Sequence, residues 1–133
     1  MSALVCHGVF TRFPQLRVAA VENGGDWVVP FVHHLQDVYR KQPHAFDEDP
    51  VEAFKRNVWI SPFHEDDIAG MIDVIGVDRI LFGSDYPHPE GLAEPKSYLD
   101  HLPDDLDEDV VAAIMGENLA RIMRVQVPAA GGK

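Results

Sequence analysis

Cysteine is almost absent from this sequence of 133 residues, in which Cys6 stands alone. One cysteine excludes an intrachain disulfide framework and favours a reducing compartment. HxH, HExxH and paired CxxC motifs are also missing, so no local motif supplies a complete metal site. Without a GxGxxG loop or a P-loop lysine, Gly24-Gly25 ahead of a predicted helix is only a weak candidate for an anion cradle.

Long hydrophobic runs are missing as well. No stretch approaches the roughly 18 consecutive apolar residues of a membrane span. The opening MSALVCHGVF has no basic segment followed by a long apolar core, as a secretory signal would have. These absences predict a cytoplasmic protein that has no membrane partner.

Basic side chains are scarce, with 11 lysines and arginines against 22 acidic residues and a formal net charge of −11. The imbalance lies almost wholly beyond Phe46, where seven basic residues face nineteen acidic ones. A nucleic-acid partner needs a basic footprint, so this charge distribution argues against one. An acidic surface otherwise favours solubility.

Strand and helix signals alternate along the chain. Short apolar runs predict strands at residues 16–22, 57–60 and 79–82, each closed by turn residues. Helical periodicity predicts helices from Asp26, which can cap the first of them, at 51–56, at 68–75 and from Val110, with a break at Gly116. This order predicts an α/β fold of parallel strands with alternating helices, about three βα units in all. Cys6 is predicted to be an inert core thiol on a packing helix.

Polar residues follow the predicted strands where each strand ends. Glu22, Ser61 and Asp85 take these positions, and parallel strands bring their carboxyl ends to one rim. In the run ILFGSDYPHPEG, Pro87 and Pro89 stiffen the backbone on both sides of His88. Aspartate and histidine suit Zn²⁺, Mn²⁺ or Fe²⁺ and can relay a proton. The alternative is a simple turn in which the Asp85 side chain bonds nearby backbone amides.

Four stretches of the sequence resemble the C-terminal part of the amidohydrolase-related proteins. They are HGVFTRFPQLRVAAVENGGDWV, NVWISPFHED, GVDRILFGSDYPHPEG and IMGENLARIM. This branch of the amidohydrolase superfamily includes aminocarboxymuconate semialdehyde decarboxylase and related metal-dependent hydrolases and decarboxylases. The resemblance implies a (β/α)8 TIM barrel, of which the chain resembles strands six to eight. It predicts a single partial-barrel domain over residues 1–125 and a flexible tail over 126–133.

The resemblance also implies roles for particular residues. Asp85 matches the aspartate that ends the last barrel strand and serves as a metal ligand and in proton transfer. Glu22 stands where decarboxylase members carry a histidine, which implies an alternative acid/base residue or substrate contact. Asn23 and His88 are implied as substrate-binding residues. The implied cofactor is a divalent metal, zinc first, with manganese or iron as alternatives.

Two functional hypotheses follow. In the first, the chain is the C-terminal portion of a metal-dependent hydrolase or decarboxylase that acts on a small organic substrate. The HxH of the family's first strand and the histidine of its fifth are not in this sequence. The second hypothesis is therefore a noncatalytic truncated half-barrel that binds a partner or oligomerises. Both predict open sheet edges, and hence self-association or an upstream segment that completes the barrel.

Overall fold

A computed structural model of the chain describes residues 1–126. The predicted tail at 126–133 lies outside this range except for Gln126, so it stays a prediction. In chain order the elements are α1 (Ser2–Cys6), α2 (Val9–Arg12), β1 (Val18–Ala20), α3 (Val28–Lys41), α4 (Pro50–Asn57), β2 (Val58–Ile60), α5 (Ile68–Ile75), α6 (Glu108–Ala112) and α7 (Asn118–Met123). Short 3₁₀ segments occupy Pro43–Ala45, Val77–Arg79 and Pro95–His101, and a π turn at Ala113–Glu117 joins α6 to α7.

The sheet is parallel but smaller than the sequence predicts. Strand β1 pairs with β2, and Ala20 lies opposite Ile60 in the register. The third predicted strand is reduced to one parallel bridge between Ile60 and Ile80. Two features limit the length of this third strand. The 3₁₀ segment runs up to Arg79, directly before Ile80. Two residues after Ile80, the Phe82 N–H donates to the Ile114 carbonyl at 3.0 Å and not to β2. The α/β class with parallel pairing is confirmed, whereas three complete βα units are not.

Local side chains set where helices α4 and α5 begin. Pro50 opens α4 directly after Asp49, whose carboxylate accepts the Val51 N–H at 2.8 Å. Asp67 caps α5 by accepting the Gly70 N–H at 2.9 Å. The predicted cap at Asp26 is wrong, because Trp27 takes the N-cap position of α3 and no side chain caps it within the described residues.

The core lies between α3, α4, α5 and the sheet. Phe54 of α4, only 1% exposed, meets Trp27 and Phe31 edge-to-face with ring centroids 6.2 and 5.3 Å apart. The sheet contributes Ala20, Ile60 and Ile80 to this core. The apolar residues that give α3 and α5 their helical periodicity face the core, whereas Leu119 and Met123 of α7 are 43% and 64% exposed. Cys6 is exposed, so its prediction as a core thiol is wrong.

Arg56 of α4 ties this helix to its neighbours. Its two terminal nitrogens donate to the two Glu48 carboxylate oxygens at 2.7 and 2.8 Å, and Nη2 also donates to the Phe10 carbonyl at 3.3 Å. The hydrogen bonds from Arg56 lower the pKa of Glu48 to about 2. Because solvent reaches both side chains, we expect a net contribution of no more than about 1 kcal/mol.

The helical region at the end of the described chain is interrupted, as predicted, at Gly116. Its φ of 178° and ψ of −32° break the helical conformation within the π turn between α6 and α7. Among residues 1–126, no helix is long and apolar enough to cross a bilayer.

Candidate metal centre

Glu22, Asp85 and His88 come together at the carboxyl ends of the strands. One ligand atom from each side chain lies within 4.8 Å of the other two. Asp85 is partly buried, while Glu22 and His88 are exposed to solvent. Two carboxylates and an imidazole are a donor set that suits Zn²⁺, Mn²⁺ or Fe²⁺. Glu22 and Asp85, which the sequence places at separate strand ends, thus form one cluster with His88 that has the chemistry of a metal site.

The backbone at two of these residues is unusual. Glu22 has a φ of 57° and Asp85 a φ of 55°, both in the left-handed region. Among residues 1–126, Arg124 is the only other non-glycine residue with positive φ. Such a conformation costs about 1–3 kcal/mol and tends to occur at functional sites. It turns each carboxylate out of the direction that an extended strand would give it.

The loop that carries Asp85 and His88 folds back on itself. The Asp85 carbonyl accepts the His88 N–H at 2.9 Å, and the Ser84 carbonyl accepts the Leu92 N–H at 2.8 Å. Gly91 passes so close that a Cβ there would lie 2.3 Å from the Asp85 carbonyl oxygen. Any larger residue at Gly91 would therefore displace the backbone of Asp85.

A cavity of about 200 Å³ opens beside the cluster. Both carboxylates and several apolar side chains border it, and no lysine or arginine of the described chain does. Its lining residues are Val21, Glu22, Ser61, Pro62, Phe63, Gly83, Ser84, Asp85 and Tyr86. A Cβ at Gly83 would lie 2.4 Å from Ser61 Oγ, so this glycine lets the strand ends approach closely. The cavity has room for part of a small organic molecule.

The structure does not bring Asn23 to the cluster. Asn23 lines a different depression, together with Trp27, Phe31 and His34. Its role in substrate binding therefore stays a prediction without support from this geometry.

Gly24-Gly25 does not form an open anion cradle. The Gly25 N–H already donates to Asp66 Oδ2 at 2.6 Å, and the Phe63 N–H donates to the same oxygen at 2.7 Å. Burial raises the pKa of the Asp66 carboxyl, although these two amides act in the opposite direction. An internal carboxylate therefore takes the place that an external anion would need.

Comparison with known proteins decides the family. The family model described as amidohydrolase matches residues 2–125. The chain belongs to the amidohydrolase family. This confirms the resemblance that the four sequence motifs indicate.

Two solved amidohydrolase-superfamily structures are similar to this amidohydrolase chain. An amidohydrolase, map2389c, from Mycobacterium avium subsp. paratuberculosis K-10 is 43% identical, with a TM-score of 0.86 over 92% of this chain and 32% of its own. The 5-carboxyvanillate decarboxylase LigW from Sphingomonas paucimobilis is 25% identical, with a TM-score of 0.73 over 92% of this chain and 38% of its own. The chain thus spans about a third of the length of these two structures.

Two buried asparagines of the amidohydrolase chain support the strands, and sequence patterns alone missed both. Asn118, fully buried, donates through Nδ2 to the carbonyls of Val77 and Ile80, both at 2.9 Å. Asn57, also fully buried, donates to the Leu16 carbonyl at 2.6 Å ahead of β1. A polar residue inside an otherwise apolar helical stripe was the available signal for Asn118.

Proposed function

We propose that this chain is the C-terminal portion of a metal-dependent amidohydrolase that hydrolyses or decarboxylates a small organic substrate. The observation that carries the proposal is the cluster of Glu22, Asp85 and His88, whose ligand atoms lie within 4.8 Å of one another. Membership of the amidohydrolase family supports a divalent metal in general terms. The position of the cluster at the ends of parallel strands is where such folds gather their chemistry.

In this proposal Asp85 is the principal metal ligand, and Glu22 and His88 complete the donor set from this part of the protein. A bound divalent ion would lower the pKa of a water molecule or polarise a substrate carbonyl. Glu22 is exposed at the mouth of the cavity, where the carboxylate oxygen that does not bind the ion can accept a proton from the reacting group. His88 is exposed, and the ring nitrogen that does not bind the ion can bind a polar group of the substrate.

The proposed architecture is the last part of a (β/α)8 barrel, with β1, β2 and the Ile80 bridge standing for strands six to eight. Similarity over 92% of the chain to a structure about three times as long supports this assignment. Decarboxylation is supported by the likeness to LigW. Hydrolysis is supported by the departure at Glu22, where decarboxylase members of the resembled family have a histidine.

The test is a screen of the chain, loaded with Zn²⁺ or Mn²⁺, against small amides, esters, lactones and aromatic carboxylates, with products identified by mass spectrometry. We expect any turnover to be removed by a chelator, restored by added metal and abolished by Asp85→Asn, because Asp85 anchors the ion. Turnover that is indifferent to both the chelator and the substitution would contradict the proposal. A chain with neither stoichiometric metal nor turnover is the result expected of the second candidate function.

That second candidate is a noncatalytic half-barrel that oligomerises or binds a partner. The open sheet supports it, since Ala19 of β1 and Val21 just after this strand are exposed and Val21 is 58% accessible. Phe13, at 60%, and Met123, at 64%, add exposed apolar area elsewhere on the surface. Uncovered sheet edges and apolar patches favour association.

We predict that the chain self-associates through the open sheet and that Ala19→Lys shifts it toward a monomer, because a lysine on an edge strand disfavours edge pairing. Light scattering should give a mass above 14.8 kDa at about 100 µM for the parent chain and a lower mass for the variant. Gln36→Lys, on the exposed face of α3, is the control for added charge. A monomeric mass at every concentration, with no binding of a hydrophobic dye, would refute self-association.

A further inference from the structure

One carboxylate oxygen joins the loops that follow the two strands. Asp66 Oδ2 accepts the Gly25 N–H from the loop after β1 and the Phe63 N–H from the loop after β2. The first loop contains Glu22, and the second contributes Ser61 and Phe63 to the cavity. Sequence spacing gives no hint of this bridge, because Gly25 and Asp66 are 41 residues apart.

The two loops approach too closely for ordinary side chains. A Cβ at Gly24 would lie 3.1 Å from the ring of Phe63, and a Cβ at Gly25 would lie 2.4 Å from Met71 Sδ. Gly24 also has a φ of 61°, which favours glycine. The glycine pair therefore gives the Asp66 carboxylate access to the backbone of the loop that carries Glu22.

The bridge is electrostatically strong, because hydrogen bonds to a charged acceptor exceed those between neutral groups. Burial is the main cause that raises the pKa of Asp66, and Asp26 in the loop after β1 raises it further. Burial raises the pKa of Tyr98 in the 3₁₀ segment, and the charge of Asp66 raises it further. Other titratable groups near Asp66 lie on its own loop or along the depression it borders: His64, Glu65, Asp67, Asp100, His101 and Asp104.

We propose that Asp66 is a positioning residue, which holds the Glu22 loop against the loop after β2 and so fixes the geometry of the Glu22, Asp85 and His88 cluster. One consequence of this inference, that metal binding depends on Asp66, rests on the proposed function; the positioning of the two loops does not. Asparagine at this position keeps the shape and one acceptor oxygen but loses the charge, so the two N–H groups would bond to a neutral and weaker acceptor. A displaced Glu22 would then bind the ion less well, as loss of groups that support metal ligands generally does.

The test compares Asp66→Asn with Asp67→Asn, a matched control, since Asp67 accepts a backbone N–H only within the start of α5. In amide NMR spectra of the metal-free chain, Asp66→Asn should move the signals of residues 22–25 and 61–63, whereas Asp67→Asn should move only those of α5. In the parent chain, the amide protons of Gly25 and Phe63 should titrate together, with a midpoint above the ordinary aspartate value of 3.8. Calorimetry with Zn²⁺ should show about tenfold weaker binding for Asp66→Asn and binding within twofold of the parent for Asp67→Asn.

The outcomes separate the two proposals. A Glu22 amide that does not respond to Asp66→Asn, or a Gly25 amide that does not titrate, overturns the positioning role. Equal losses of Zn²⁺ affinity in the two variants overturn it as well, because a general loss of stability would then suffice. If the parent chain binds no Zn²⁺, the proposed metal function fails, and the NMR results alone decide the positioning role. The titration uses the unaltered chain, so it remains decisive even if Asp66→Asn fails to fold.

Discussion

Replacing Asp85 with asparagine is expected to lower the affinity of the chain for Zn²⁺ by at least about 100-fold. The substitution removes a negatively charged oxygen donor, and changes to groups that only support metal ligands already cost about 10- to 100-fold. Asparagine has nearly the same shape and is among the residues best tolerated in the left-handed conformation that Asp85 adopts, with φ of 55°. The fold should therefore survive, and calorimetry at neutral pH would measure the loss of the ligand itself.

The control for this substitution must also remove one negative charge, but at a position outside the cluster. Asp73→Asn does so, because Asp73 is exposed on α5 and belongs to no metal-ligand group of the described chain. The acidic surface attracts any divalent cation weakly, so both variants should lose the same small, salt-sensitive component. Equal Zn²⁺ affinities for Asp85→Asn and Asp73→Asn would mean that Asp85 is a turn residue and not a ligand.

The second large effect is expected at Asn118. Asn118→Leu should lower the free energy of unfolding by about 3 kcal/mol, because the Val77 and Ile80 carbonyls would lose their buried donor at roughly 1–3 kcal/mol each. Leucine keeps the branch at Cγ but is the larger side chain, so overpacking adds to the loss of the two hydrogen bonds. Urea denaturation followed by circular dichroism measures the change, with the exposed neighbour Glu117→Gln as the control. A difference below about 0.5 kcal/mol would show that the two carbonyls find other partners.

Ile80 links this stability effect to the site. It is the residue whose bridge to Ile60 aligns the third element of the sheet, and Asp85 follows five positions later. Asn118 holds the Ile80 carbonyl from the other side at 2.9 Å. We therefore expect substitutions at Asn118 to disturb the loop that carries Asp85 as well as the overall stability.

Elements that depend on local signals could be predicted from the sequence. Helix α5 runs over residues 68–75 and ends at Gly76, as the apolar spacing and the glycine indicate. The third strand could not, because its length depends on the distant Ile114 carbonyl, which takes the Phe82 amide. Apolar character alone indicates a buried extended segment but does not say how many residues pair.

The candidate site, too, could be predicted from the sequence only in part. Parallel strands place their ends on one side of a sheet, so the proximity of Glu22, Asp85 and His88 could be inferred before any coordinates. Asp66 and Asn118 could not be found in this way, because Gly25 lies 41 residues from Asp66 and Val77 lies 41 residues from Asn118. Their hydrogen bonds depend on how the loops pack, and no periodicity in the sequence encodes that packing.

The most direct test of the central claim is paramagnetic broadening by Mn²⁺ in an amide NMR spectrum of the chain. A single metal-centred cluster predicts that substoichiometric Mn²⁺ first removes the signals of Glu22, Asp85, His88 and their immediate neighbours, and that Asp85→Asn prevents this. The opposite result would be broadening over the acidic surface of residues 100–109 that affects the cluster signals no more than the others and that Asp85→Asn does not change. That result would contradict a metal site at Glu22, Asp85 and His88.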